Sequence, residues 1–192
     1  MSSTVRQWLL KLQAKTLLIF GQQRRALCCF DAMLSHAPVH AYALASRAQL
    51  LGELGDYQAA IMALQALTDA HPTDSSAWFN LGFLLDKTGR AEDAEPAFRQ
   101  AVELAPRLDR AWYGLALVLI RQRRLDEAVV ALEANIELQP MSPFGWYQLG
   151  RVQLERHNLG ETIAIIRHLK GFEPKVANQL EREIGILHAK AA

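Results

Sequence analysis

His36 and His40 stand four residues apart, the spacing at which two imidazoles on one helix face can share a metal ion. Pro38 lies between them and would break the helix that has to align them. With no third ligand in the stretch, no metal is expected there. Cys28 and Cys29 are adjacent, and neighbouring side chains on a helix diverge too far to bond easily. They read as ordinary helix residues of a reducing compartment. Glu92 with Asp93, and Asp126 with Glu127, are paired carboxylates of the kind that acid–base chemistry uses. Each pair falls where a helix should begin, and there a carboxylate favours the helix dipole. His157 and His168 read as turn and surface residues. The sequence has no phosphate-cradling glycine loop, no His-Glu-x-x-His and no Gly-x-Ser-x-Gly. The expectation is a protein without catalysis, cofactor or metal.

The elements that carry these residues are helical. Half of the 192 residues are apolar, helix formers dominate, and 21 basic residues balance 20 acidic ones. Such a balance supplies no global field for nucleic acid or membrane. No stretch reaches the roughly 18 to 20 apolar residues of a membrane span. Lys11 and Lys15 interrupt the apolar part of the N-terminal stretch, and no small-residue cleavage site follows, so the expected location is cytoplasmic.

A strict period orders the chain. Pro38, Pro72, Pro106, Pro140 and Pro174 are spaced 34 residues apart. Leu10, Leu44, Trp78, Trp112 and Trp146 share a second column, and Ala26, Ala60, Ala94 and Ala128 a third. Phe30, Leu64, Phe98, Leu132 and Ile166 form a fourth, and Gly21, Gly55 and Gly89 a fifth. Within each unit the apolar spacing predicts two helices. The glycines suit a left-handed cap between them, the alanines a close helix approach, and the prolines a stop after the second helix. Asp74, Asp109 and Ser142 stand where an N-cap should open the next helix. Arg123 and His157 replace the turn glycine, with Asn158 able to take the left-handed backbone; Thr162 replaces the alanine; Pro96 falls inside a second helix near its start.

This period, with "WFNLGFLL" at 78–85 and "AEPAF" at 94–98, resembles the tetratricopeptide repeat. The resemblance covers residues 7–176. It implies an all-α, right-handed α-solenoid of helix-turn-helix units forming one domain over 1–192. The units are 7–40, 41–74, 75–108, 109–142 and 143–176, closed by a capping helix at 177–190 with Leu180, Ile184 and Leu187 on one face. Repeat arrays need such a polar-backed cap. Gln13 and Arg47 stand where the family usually has leucine.

By the same resemblance, the first helices line a concave groove that holds a peptide segment or helix of another protein. The inward positions are Tyr42, Gln49, Phe79, Asn80, Phe83, Arg110, Tyr113, Leu117, Phe144, Tyr147, Gln148 and Arg151. Aromatic anchors interleaved with amides and guanidinium groups suit protein recognition. Tyr113 and Tyr147 also occupy a position that can serve packing alone. A clamp for a chaperone tail is not supported, because Ala45, Gln49 and Gly114 occupy clamp positions beside Asn80 and Arg110. The first and fifth repeats are net basic and the middle three net acidic, so no continuous basic track for nucleic acid exists.

Residues 4–30 carry five basic side chains and no acidic one, together with Trp8, Leu9, Leu12, Leu18, Ile19 and Phe20. This helix either docks on a partner, a second copy or an anionic membrane, or only packs beneath the second repeat; a membrane is the less favoured of these. The functional expectation is an adaptor or scaffold for a protein client. The alternatives are a dedicated chaperone or assembly factor for a secreted or membrane client, and a peripheral membrane protein.

Overall fold

The computed structural model describes residues 3–191, and side chains over 4–185. Every regular element among the described residues is an α-helix. The chain forms two compact units, one ending at Leu104 and one beginning at Ala105.

The first unit holds α1 (Ser3–Ile19), α2 (Gln23–His36), α3 (Ala41–Glu53), α4 (Tyr57–Ala70), α5 (Ser75–Lys87) and α6 (Ala91–Leu104). The second holds α7 (Asp109–Arg121), α8 (Leu125–Leu138), α9 (Pro143–Glu155), α10 (Leu159–Lys170) and α11 (Pro174–Ala191). Helices pack chiefly on their chain neighbours, α1 on α2, α3 on α4, α5 on α6, α7 on α8 and α9 on α10. In the first unit α2 also packs on α3 and α4 on α5; in the second, α8 packs on α9 and α11 on both α9 and α10.

The repeat columns are the core. Ala26, Ala60, Ala94, Ala128 and Thr162 are all fully enclosed. Thr162 is tolerated because its hydroxyl donates to Asn158 O at 3.0 Å, so no polar atom is stranded. Phe30, Leu64, Phe98, Leu132 and Ile166 are buried beside them. A Cβ built on Gly82 would meet the Phe98 ring at 2.9 Å, and one on Gly150 would meet Leu180 Cδ2 at 2.4 Å. At those points only a hydrogen fits between the helices.

The turns show where spacing is enough and where it is not. Gly21, Gly55 and Gly89 adopt φ of 68°, 84° and 79°, the left-handed conformation that ends a helix cheaply only in glycine. Arg123 and His157 take the same conformation at 62° and 61°. His157 itself bears the turn, while Asn158, at φ −88°, is the N-cap of α10. Asp74 caps α5 by accepting from the Ser76 and Ala77 amides. Asp109 instead lies inside the first turn of α7 behind Leu108, and Ser142 precedes α9 without a side-chain bond. Pro174 does not follow a helix but opens α11, where its missing N–H costs no bond. Leu180 of that helix is fully buried and Ile184 half-buried; the side chain of Leu187 lies outside the described residues.

The step of six residues from proline to tryptophan has a direct cause. The indole Nε1 of Trp78 donates to Pro72 O, that of Trp112 to Pro106 O and that of Trp146 to Pro140 O, each at 2.8 Å. The tryptophan therefore closes the inter-repeat turn onto the helix it begins.

Candidate functional site

In the first unit the face shared by α3 and α5 opens a cleft of about 450 Å³. Its apolar floor is Ala45, Ala48, Leu64 and Leu84, and its polar rim is Gln49, Glu53, Asn80 and Lys87. Tyr57, at the start of α4, closes one side, with the Lys87 ammonium 4.6 Å from its ring centre. Such a distance is a cation–π contact and fixes the charge at the rim. Glu53 is held from two sides: Gln49 Nε2 donates to one oxygen at 3.0 Å and Gln23 Nε2 to the other at 3.2 Å.

Phe83 stands at the mouth, half exposed, and stacks on Phe79 at 6.4 Å between centroids. Phe79 in turn packs against the core ring of Phe98 at 6.1 Å. The outer ring is thus backed by two further rings, a rigid apolar platform of the type that anchors a bound chain. Gly52 supplies the space: it is helical, and a Cβ added there meets nothing within 4 Å.

Of the inward residues expected in this unit, Gln49, Asn80 and Phe83 line the cleft and Phe79 supports it. Tyr42 lies elsewhere, edge-on to Phe30 and beneath the Lys11 ammonium at 4.1 Å. Gly52, Glu53, Tyr57 and Lys87 complete the cleft without having been singled out by sequence. One signal was available for Gly52. It shares a repeat column with Leu18, Asp86, Ile120 and Leu154, and it alone lacks a side chain there.

The second unit treats its inward positions differently. On α7, Arg110 is exposed and Tyr113 and Leu117 are half-buried. On α9, Phe144 is exposed, Gln148 is half-buried, and Tyr147 and Arg151 are engaged by α11. The Tyr147 hydroxyl donates to Glu183 Oε1 at 2.5 Å and accepts from Gln179 Nε2 at 2.7 Å. Arg151 Nε lies 3.4 Å from Glu183 Oε2, with its guanidinium 5.9 Å from the Tyr147 ring centre. Burial pushes the Tyr147 phenol above its ordinary value, and the hydrogen bond and charge of Glu183 push it further. It stays a neutral donor.

The side chains at these positions offer apolar surface, amide hydrogen bonds and single charges. Among the described residues no group of three or more His, Cys, Asp or Glu could hold a metal ion. His36 ends α2, and His40 caps α3, its Nδ1 accepting from the Ala43 amide at 3.3 Å. Cys29 is buried, and burial first, then neighbouring Cys28, raises its thiol. Cys28 is exposed and its Sγ–H donates to Arg24 O.

The fold is shared with solved structures. MamA from Desulfovibrio magneticus RS-1 (residues 41 to end) is 22% identical with a TM-score of 0.76, over 93% of this chain and 96% of its own. Another MamA structure is 19% identical with a TM-score of 0.82, over 90% and 94%. YrrB, described as a TPR protein with an unusual peptide-binding site, is 22% identical with a TM-score of 0.77, over 93% and 89%. No curated protein matches. The tetratricopeptide repeat family model matches residues 46–109 and 84–144, together more than half of the 192 residues. The chain belongs to the tetratricopeptide repeat family.

Proposed function

We propose that the chain is a non-enzymatic protein-interaction module, and that the cleft between α3 and α5 receives a segment of a client protein. The single observation that carries this reading is the combination found there. An open apolar floor beside Gly52 lies under Phe83, with the amides of Gln49 and Asn80 at the rim. An apolar side chain of the client fills the space over Ala45, Ala48 and Leu84, and its backbone bonds to the Asn80 and Gln49 amides. Lys87 adds a preference for a carboxylate nearby. Membership of a family of interaction modules supports the reading, as does a similar fold in a protein described by its peptide-binding site. The inward residues of the second unit, Arg110, Tyr113, Leu117, Phe144 and Gln148, are proposed as a contact surface of that unit by itself.

The test is selection of peptides on the wild-type chain from a displayed random library, followed by affinity measurement on two variants. Gly52→Leu fills the cleft without removing any contact, and leucine is a better helix former than glycine, so the fold is retained. Phe83→Ala removes the platform. Enriched peptides that lose at least about tenfold in affinity on both variants support the proposal. Peptides that bind Gly52→Leu as tightly as wild type, or a library that yields none, would overturn it.

A further inference from the structure

The first helix has two apolar faces, and the protein covers one of them. Leu10, Ala14 and Leu17 of α1 pack into the core with Ala26, Phe30 and Met33 of α2 and Ala43 and Leu50 of α3. On the opposite side Val5, Trp8, Leu9, Leu12, Ile19 and Phe20 stand in solvent. At about 100° per residue, positions 5, 8, 9, 12, 16 and 19 fall on one stripe along the helix, and Phe20, in the turn that follows with its amide still bonded to Thr16 O, continues it. Trp8 is 61% exposed and Ile19 81%. The stripe's one hydroxyl, Thr16, is turned back onto Leu12 O at 3.1 Å. A contiguous apolar face of this kind on a soluble unit marks an interaction surface.

Charge identifies what covers it. The first 30 residues hold Arg6, Lys11, Lys15, Arg24 and Arg25 and no acidic residue, whereas the other 162 hold 16 basic and 20 acidic. Arg6 and Lys15 flank the stripe on its two sides by the same helical geometry. Arg6, Lys15 and Arg24 are exposed and have no acidic partner among the described residues. A second copy presenting the same face would set like charges against each other. No helix among the described residues is long and apolar enough to cross a membrane. An in-plane helix with a Trp, Leu, Ile and Phe face and cationic edges matches one surface best, an anionic lipid bilayer.

We infer that α1 is a reversible membrane-surface helix that lays its Val5–Phe20 stripe into an anionic lipid interface while its other face stays packed on α2 and α3. The helix need not leave the fold, because the lipid-facing stripe and the core-facing stripe are on opposite sides. Lys11 takes no part, being held over the Tyr42 ring.

Flotation of the whole chain with vesicles tests this, using phosphatidylcholine with and without phosphatidylserine at low and high salt. One variant, Trp8→Gln/Leu12→Gln/Ile19→Gln, removes the apolar stripe; another, Arg6→Gln/Lys15→Gln/Arg24→Gln, removes the exposed charge. Both spare Leu10, Ala14 and Leu17, and circular dichroism checks the fold. Expected is salt-sensitive flotation of the wild type on the phosphatidylserine vesicles. The apolar variant should bind at least about tenfold more weakly, and each lost cation should weaken low-salt binding about fivefold. Failure of the wild type to float at low salt, or undiminished flotation of the apolar variant, overturns the inference. Self-association that the apolar variant abolishes, without vesicle binding, reassigns the stripe to a second copy and equally overturns it.

Discussion

The same repeat position is open in one half of the molecule and filled in the other. Phe83 of α5 and Arg151 of α9 are two 34-residue steps apart, as are Phe79 and Tyr147. In the first unit Phe83 overlooks an unfilled cleft. In the second, Tyr147 and Arg151 are claimed by Glu183 and Gln179 of α11. A repeat column therefore specifies where a side chain points, and not whether it is available. Availability depends on which helix comes next. The protein's own last helix occupies, at α9, the positions that correspond to Phe79 and Phe83 of α5.

Removing the anchor of α11 should disturb this contrast most. Leu180→Ala empties a fully enclosed site between α11 and α9 and is expected to cost about 2–5 kcal/mol in urea unfolding. Hydrogen exchange in α11 should rise first. Unchanged exchange there would mean that Leu180 does not hold the helix in place.

Two glycines sharpen the comparison by opposite signs. Gly150→Ala drives a methyl toward Leu180 and should destabilise by about 1–2 kcal/mol despite better helix propensity. Gly52→Ala meets open space and should stabilise by about 0.5–1 kcal/mol. Equal effects in thermal melts would erase the distinction between a packed and an open inner face.

Next is the polar tie itself. Glu183→Gln keeps the shape but removes the charge beside Tyr147 and should cost about 0.5–1.5 kcal/mol. It also predicts a pH signature. The folded phenol titrates above its unfolded counterpart, so its contribution is complete below the ordinary tyrosine range and is lost as pH rises through the raised value. Tyrosinate absorbance should therefore show the Tyr147 titration moving down in Glu183→Gln, with no such movement in a Glu53→Gln control in the other unit. A titration that stays put would show that Glu183 does not set it.

The smallest effect concerns a feature common to both units. Trp78→Phe and Trp112→Phe each remove one indole bond to a proline carbonyl and should each cost about 0.5–1 kcal/mol in denaturant unfolding. A large inequality would place the difference between the units in their turns as well as on their inner faces.

Much of this architecture could be read from the chain because the repeat imposes it many times. Five enclosed small residues at one spacing, and three glycines with positive φ at another, leave little freedom in where helices stop and touch. Individual caps were less readable. Leu108, which has no side-chain acceptor, holds the position that Asp109 suggested, since a one-residue shift costs little at a fraying terminus. The candidate site was half visible. Gln49, Asn80 and Phe83 followed from the inward face that the repeat resemblance implies, but Tyr57 and Lys87 reach the cleft through tertiary packing that no local pattern encodes. The glutamate that engages Tyr147 lies 36 residues downstream on a helix outside the 34-residue lattice. The spacing from proline to tryptophan was plain, whereas the bond behind it was not: six residues bring the groups close, and only the rotamer aims the indole back at the carbonyl.

That bond has a consequence for how the chain acquires its structure. Donor and acceptor are six residues apart, so the latch can close as soon as the turn and the start of the helix that follows it exist. Contacts of such short sequence separation carry little loop-closure entropy and form early. A chain emerging from the ribosome can therefore set each successive turn at Pro72, Pro106 and Pro140 before the residues beyond it have been made. Assembly then becomes a relay along the polypeptide rather than one collective search.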